Sequence, residues 1–97
     1  MISHYIIVKF KPDVDWKELL GEIEELFHKT LLIKGVEKVE VIPSCSEREN
    51  RYHLMIKLEL SAEGLKRYDV SESHVFWKEK YGSLIESKAI FDCETVK

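Results

Sequence analysis

Two side chains in the second half of the sequence, Tyr68 and His74, are of types that together could move a proton. A neutral imidazole with a pKa of about 6.5 could accept a proton at cellular pH, provided that His74 opens into a pocket. The hydroxyl of Tyr68 could donate a hydrogen bond to a substrate carbonyl or to His74. His4 could reach the same cavity if its strand face lies under the helices. If the fold brings them into one pocket, these residue types could carry out base catalysis on a carbonyl compound.

Each of these residues also has a structural interpretation. His74 could cap or pack the start of a helix, Tyr68 could be an aromatic side chain at the edge of the core, and His4 could be a satisfied core histidine. His53 lies on the polar phase of its predicted strand, and His28 lies near the end of an amphipathic helix. We expect both to be solvated or to interact with a helix dipole.

The spacing of histidines and cysteines does not indicate a metal site. No two of the four histidines have the i, i+4 spacing of a helical metal motif, and none lies beside a cysteine. Cys45 and Cys93 form no CxxC pair, which favours two free thiols in a reducing compartment. We therefore predict no metal ion in this protein.

Composition places the chain among single-domain globular proteins. It has 97 residues, of which 44% are hydrophobic and 34% are charged, so we expect one domain spanning residues 1–97. The net charge of -3 comes from interspersed acidic and basic residues without a basic run, which disfavours nucleic-acid binding. The N-terminal segment has no basic n-region, and its apolar stretch is only a strand long. We predict a cytoplasmic protein without a membrane segment.

Apolar periodicity predicts seven elements that would position the candidate residues. Asp15 can cap the first helix. The order is βαββ(αα)β, which predicts a ferredoxin-like α+β fold: four antiparallel strands with the helices on one face. The predicted strands span residues 2–10, 36–43, 51–60 and 87–94, and the predicted helices span about 15–30, 61–68 and 71–81.

The predicted sheet has a second face that no helix of the chain covers. Tyr5, Ile7, Met55 and Ile90 are our candidates for this face, and they are too apolar to remain in water. A second copy of the chain could cover them with its own sheet. We therefore expect a homodimer joined through the sheet faces.

Three segments together resemble the stress-responsive A/B barrel family. They are residues 4–12 (HYIIVKFKP), 68–77 (YDVSESHVFW) and 90–92 (IFD). The family pattern has a strand-one His, a lysine-flanked Phe, a Tyr, a His-Pro-x-His turn, an aromatic helix and a final Phe-Asp. Ser71 and Glu72 stand where the family has the first His and the Pro of that turn, which removes one polar pocket group. The resemblance covers nearly the whole chain.

The resemblance implies a dimeric α/β barrel and a cofactor-free chemistry. In the related olivetolic acid cyclase, which closes a linear polyketide by aldol condensation, a His in the position of His74 acts as base and a Tyr in the position of Tyr68 helps to orient it. We expect His74 and Tyr68 to be catalytic here, no cofactor, and a small apolar ligand between helices and sheet. The predicted substrate contacts are His4, Ile6, Val8, Ile56, Ser71 and Ile85.

Two other functions remain open at this point. The protein could be a non-catalytic dimer that binds a metabolite or assembles under stress, with the same residues simply packing. By analogy of fold alone, it could resemble the cofactor-independent monooxygenases or haem-degrading proteins with dimeric ferredoxin-like barrels.

Overall fold

A computed structural model describes residues 1–96 as a four-stranded sheet with helices packed against it. The connections over residues 44–53 and 70–71 have no helix or strand of their own. The elements in chain order are β1 (Ile2–Phe10), α1 (Trp16–His28), a 3₁₀ turn (Lys29–Leu32), β2 (Val36–Pro43), β3 (Leu54–Leu60), α2 (Ala62–Asp69), α3 (Glu72–Tyr81), a 3₁₀ turn (Gly82–Leu84) and β4 (Ile85–Glu94).

The strands lie in the order β2-β3-β1-β4, and every adjacent pair is antiparallel. This is the ferredoxin-like α+β arrangement, so the predicted fold class is confirmed. The third strand begins at Leu54 and not at Arg51, because residues 49–53 turn before they join the sheet. Within residues 1–96, no helix is long and apolar enough to cross a membrane.

Local hydrogen bonds set where the helices begin. Ser61 caps α2, because its Oγ accepts a hydrogen bond from the backbone N–H of Gly64 at 3.0 Å. Asp15 occupies the N-cap position of α1, but its side chain accepts no capping hydrogen bond, so that expectation was wrong. α2 also approaches the chain before β2 closely, since a Cβ on Gly64 would lie 2.7 Å from the backbone of Gly35.

The helices cover one face of the sheet and bury the core there. Strand residues of alternating position, such as Ile6, Val8 and Ile56, are almost fully enclosed together with residues of α1, α2 and α3. Ile90 pairs directly with Ile6 and so points to this same face, contrary to the expectation that placed it on the other.

The opposite face of the sheet is open and carries several apolar side chains. Tyr5, Ile7 and Met55 are half-buried on it, as expected. Phe91 pairs with Tyr5 and is 61% exposed, with the two ring centroids 6.3 Å apart. The register of β4 therefore puts Phe91, and not Ile90, on the open face.

Candidate active site

Ser71 joins the end of α2 to the start of α3 and fixes the position of His74. The Ser71 hydroxyl donates a hydrogen bond to the Tyr68 carbonyl at 2.7 Å and accepts one from the backbone N–H of His74 at 3.2 Å. Because the N-cap serine is bonded on both sides, Tyr68 and His74 are held on consecutive helices at a fixed separation. Ser71 therefore acts as a capping residue in the structure.

The ring of His74 has one nitrogen held by the backbone. Its Nδ1 lies 2.9 Å from the carbonyl oxygen of Asp69. A carbonyl can only accept, so Nδ1 carries the proton of the neutral ring and Nε2 keeps its lone pair. The half-buried His74 therefore presents a basic nitrogen on the side away from Asp69.

Tyr68 lies between the two candidate histidines. Its ring centroid is 4.9 Å from that of His74 and 5.7 Å from that of His4, the latter in an edge-to-face arrangement. The side chain is fully buried, and its hydroxyl has no hydrogen-bond partner among residues 1–96. Burial, assisted by the charge of Asp69, raises the pKa of Tyr68 well above its usual value. Tyr68 is therefore a neutral phenol at cellular pH.

His4 has a carboxylate partner that the sequence analysis did not assign. The Nδ1 of His4 lies 2.5 Å from a carboxylate oxygen of Asp92, which is the residue opposite His4 in the β1–β4 pair. Because an ionised carboxylate only accepts, Nδ1 donates, and Nε2 is again the nitrogen with the lone pair. Asp92 thus orients His4 as the Asp69 carbonyl orients His74.

A small open cleft lies where these groups meet. Its volume is about 190 Å³, below the ~300–1,000 Å³ of typical ligand pockets. We call it the His74 cleft; it is lined by His4, Ile6, Asp69, His74, Trp77, Lys78, Lys88 and Ile90.

The sequence matches the model of the stress responsive A/B barrel domain over residues 2–95. The chain belongs to this family. No curated protein matches it at a significant level.

Solved structures similar to this A/B barrel domain share its fold at low sequence identity. A dimeric protein of unknown function with a ferredoxin-like fold from Bacteroides fragilis is 21% identical, with a TM-score of 0.75, 97% of this chain covered and 95% of that one. The protein At3g17210 from Arabidopsis thaliana is 15% identical, with a TM-score of 0.79 and coverages of 100% and 97%. A Dabb family protein from Mesorhizobium loti is 18% identical, with a TM-score of 0.74 and coverages of 99% and 97%.

In this A/B barrel domain, only part of the predicted site comes together. His4, Ile6 and His74 line the His74 cleft, and Tyr68 packs directly behind it.

The remaining predicted substrate contacts do not line the cleft. Val8 and Ile56 have no exposed surface and belong to the core. Ile85 pairs with Phe10 at the far end of β4, roughly 20 Å along the strand from Asp92. Alternation along a strand identifies the helix-covered face, but it does not tell which end of that face opens into a cleft.

A second, larger cleft of the A/B barrel domain contains His53, which we expected to be solvated. His53 is half-buried, and its ring is nearly parallel to those of Trp16, at 5.0 Å between centroids, and Phe10, at 6.2 Å. That expectation was therefore wrong. His28 is exposed, with its Nδ1 2.9 Å from the Glu24 carbonyl.

No group of three or more His, Cys, Asp or Glu side chains within residues 1–96 could hold a metal ion.

Proposed function

We propose that the protein is a homodimer, joined through its open sheet faces, that binds a small carbonyl compound in the His74 cleft and removes a proton from the carbon next to the carbonyl. The observation that carries this proposal is the orientation of His74, whose Nδ1 is held by the Asp69 carbonyl at 2.9 Å. In the neutral ring, this contact leaves Nε2 with the lone pair that a general base needs.

The proposed step begins at Nε2 of His74. The C–H bond next to the carbonyl breaks, its proton goes to Nε2, and its electron pair moves onto the carbonyl oxygen to give an enolate. The enolate carbon can then attack a second carbonyl of the same molecule, as in an aldol closure, and the new alkoxide recovers the proton from His74. No redox partner is needed, because the oxidation of the α-carbon and the reduction of the attacked carbonyl carbon cancel within the same molecule.

The charges around the cleft would favour the enolate. Lys78 and Lys88 line the cleft, and neither forms an ion pair with another residue in the described part of the chain. Positive groups next to a developing oxyanion lower the barrier most where water is scarce. We assign this role to the lysines, since the hydroxyl of Tyr68 is enclosed, and we assign Tyr68 the role of holding the His74 ring.

The test is exchange of a ketone's α-protons for deuterium, followed by NMR. We expect the protein to accelerate exchange of cyclopentanone in D₂O, and His74→Ala to reduce the rate about a hundredfold or more, the usual contribution of a general base. His28→Ala is the matched control, because His28 makes the same kind of Nδ1 contact to a backbone carbonyl but lies outside the cleft. Equal rates for wild type and His74→Ala would rule out the proposed base.

A non-catalytic binding or assembly role is the second candidate. Two observations favour it: the small volume of the His74 cleft, about 190 Å³, and the enclosed hydroxyl of Tyr68. On this alternative the exchange experiment gives no acceleration, and cyclopentanone shifts the NMR signals of His4 and His74 without being turned over.

The dimer is supported by the open sheet face and by the description of the similar Bacteroides fragilis protein as dimeric. Phe91 is 61% exposed on that face beside Tyr5, where water alone would be an unfavourable neighbour. We expect Phe91→Glu to convert a dimer into a monomer in sedimentation experiments. Phe76→Glu, which changes an exposed ring on α3, should leave the dimer intact. A wild-type monomer would exclude the proposed assembly.

A further inference from the structure

A cavity larger than the His74 cleft lies at the opposite end of the sheet from His74. Its volume is about 690 Å³, within the ~300–1,000 Å³ of ordinary ligand pockets. We call it the His53 cleft; its walls are the end of β1, the start of α1 and the connection between β2 and β3. It shares no lining residue with the His74 cleft.

A rigid aromatic wall with a hydrogen-bond donor forms one side of this cleft. The backbone N–H of Phe10 donates to Nδ1 of His53 at 3.0 Å, so the neutral ring carries its proton on Nε2. The parallel rings of Trp16 and Phe10 fix the plane of the imidazole. His53 thus offers an N–H group next to flat apolar surface, a combination that suits an aromatic ligand.

Charged side chains of both signs surround the wall. Lys9 is already engaged, since its ammonium donates to the Glu49 carbonyl and lies 3.7 Å from the carboxylate of Glu86. Four further charged side chains line the cleft, two cationic and two anionic, and none of them forms an ion pair within residues 1–96. They are Lys17, Arg48, Glu47 and Glu49.

We propose that the His53 cleft binds a small aromatic zwitterion, a molecule that carries a ring, an ammonium group and a carboxylate as free aromatic amino acids do. The ring would lie beside the Trp16–His53 stack, in contact with the edge of the Trp16 indole and with the His53 N–H. The carboxylate would pair with Arg48 and Lys17, and the ammonium with Glu47 or Glu49. A ligand with one charge alone would leave groups of the other sign unmatched, and one without a ring would leave the aromatic wall unused.

Three matched probes test the two charges of the proposed ligand by NMR titration. L-Phenylalanine has the ring and both charges, 3-phenylpropanoate lacks the ammonium, and phenethylamine lacks the carboxylate. We expect L-phenylalanine to shift the signals of His53 and the Trp16 indole, and each single-charge probe to bind about fivefold more weakly, the scale of one partly exposed ion pair. Equal binding by either single-charge probe, or shifts confined to the His74 cleft, would overturn the proposal.

The Arg48→Met variant tests whether Arg48 itself binds the ligand carboxylate. In this variant, the advantage of L-phenylalanine over phenethylamine should shrink, because the carboxylate has lost one of its two proposed partners. Arg67→Met, which removes an exposed guanidinium from α2, is the control and should not change the binding of any probe.

Alkylation of Cys45 gives a second measurement of binding, in a Cys93→Ser variant that leaves the His53 cleft unchanged. L-Phenylalanine should slow alkylation of the exposed Cys45 thiol, which lines the cleft. Unchanged alkylation at a saturating concentration would contradict binding there.

Discussion

His74 and His53 lie in two clefts of one sheet, and their backbone partners give them opposite chemistry. At His74 a carbonyl accepts from Nδ1, so Nε2 is a base. At His53 an amide N–H donates to Nδ1, so Nε2 carries a proton and is a donor. The side chains are identical, and neither tautomer could be assigned from residue type. A histidine in a pocket is therefore identified as a base or a donor by what its other nitrogen contacts.

The two clefts also differ in volume and in the groups that surround them. The His74 cleft is about 190 Å³ and has an enclosed tyrosine behind it, whereas the His53 cleft is about 690 Å³ and has unpaired charges at its rim. The basic histidine nitrogens lie in the His74 cleft, whereas the His53 cleft offers more surface for binding. This contrast separates a candidate site for proton transfer from a candidate site for ligand recognition.

The largest effect we expect comes from Gly64→Ala, which should disturb the His74 cleft more than the His53 cleft. The new Cβ would lie 2.7 Å from backbone atoms of Gly35, so the contact could be relieved only by moving the backbone. We expect a loss of about 3 kcal/mol in the free energy of unfolding, at the upper end for overpacking. Because Tyr68 lies one turn further along α2, the surviving folded protein should show displaced signals for Tyr68 and His74.

Gly21→Ala is the control for Gly64→Ala. A Cβ on Gly21 meets nothing within 4 Å in the middle of α1, so alanine should stabilise the protein by about 0.5–1 kcal/mol. Urea unfolding measures both variants. A stability change of the same sign in the two would contradict the close contact between α2 and the chain before β2.

Tyr68→Phe should stabilise the protein by about 1 kcal/mol. The change removes a buried hydroxyl that has no partner among the described residues, and the ring that packs on His4 and His74 remains. Tyr81→Phe should have the opposite sign, because the Tyr81 hydroxyl donates to Glu22 at 2.5 Å. A destabilised Tyr68→Phe variant would mean that the hydroxyl has a partner in solution, and so would assign it a closer role in the His74 cleft.

The order of elements could be predicted from the sequence because apolar alternation and helical spacing are local properties. The buried phase of β1, from His4 to Phe10, followed directly, and so did the helix that carries His74. Ser71 departs from the family turn and still caps α3, since a serine can accept the N–H of His74.

What failed depended on pairing between distant segments. The His4–Asp92 contact and the faces of Ile90 and Phe91 follow from the β1–β4 register, and a shift of one residue would exchange the faces. The phase argument misplaced His53, because β3 begins at Leu54 and His53 precedes the regular strand. The Phe-Asp ending of the family pattern was the one sequence signal that pointed towards Asp92.

The smallest effect that we expect is a pH dependence of folding stability that comes from His53. Burial, together with the charge of Lys9, lowers the pKa of His53 in the folded protein, whereas an unfolded histidine has a pKa of about 6.5. Above that pH both states are neutral and the stabilising contacts of the ring are fully present. As the pH falls from about 6.5 towards the folded pKa, the unfolded state binds a proton first, so stability is lost.

Urea unfolding at pH 7.5 and 5.5 should therefore show a larger loss for wild type than for His53→Asn, whose amide oxygen can still accept from the Phe10 N–H. His28→Asn should keep the wild-type pH dependence, and equal losses for wild type and His53→Asn would contradict the neutral donor on which the comparison of the two clefts depends.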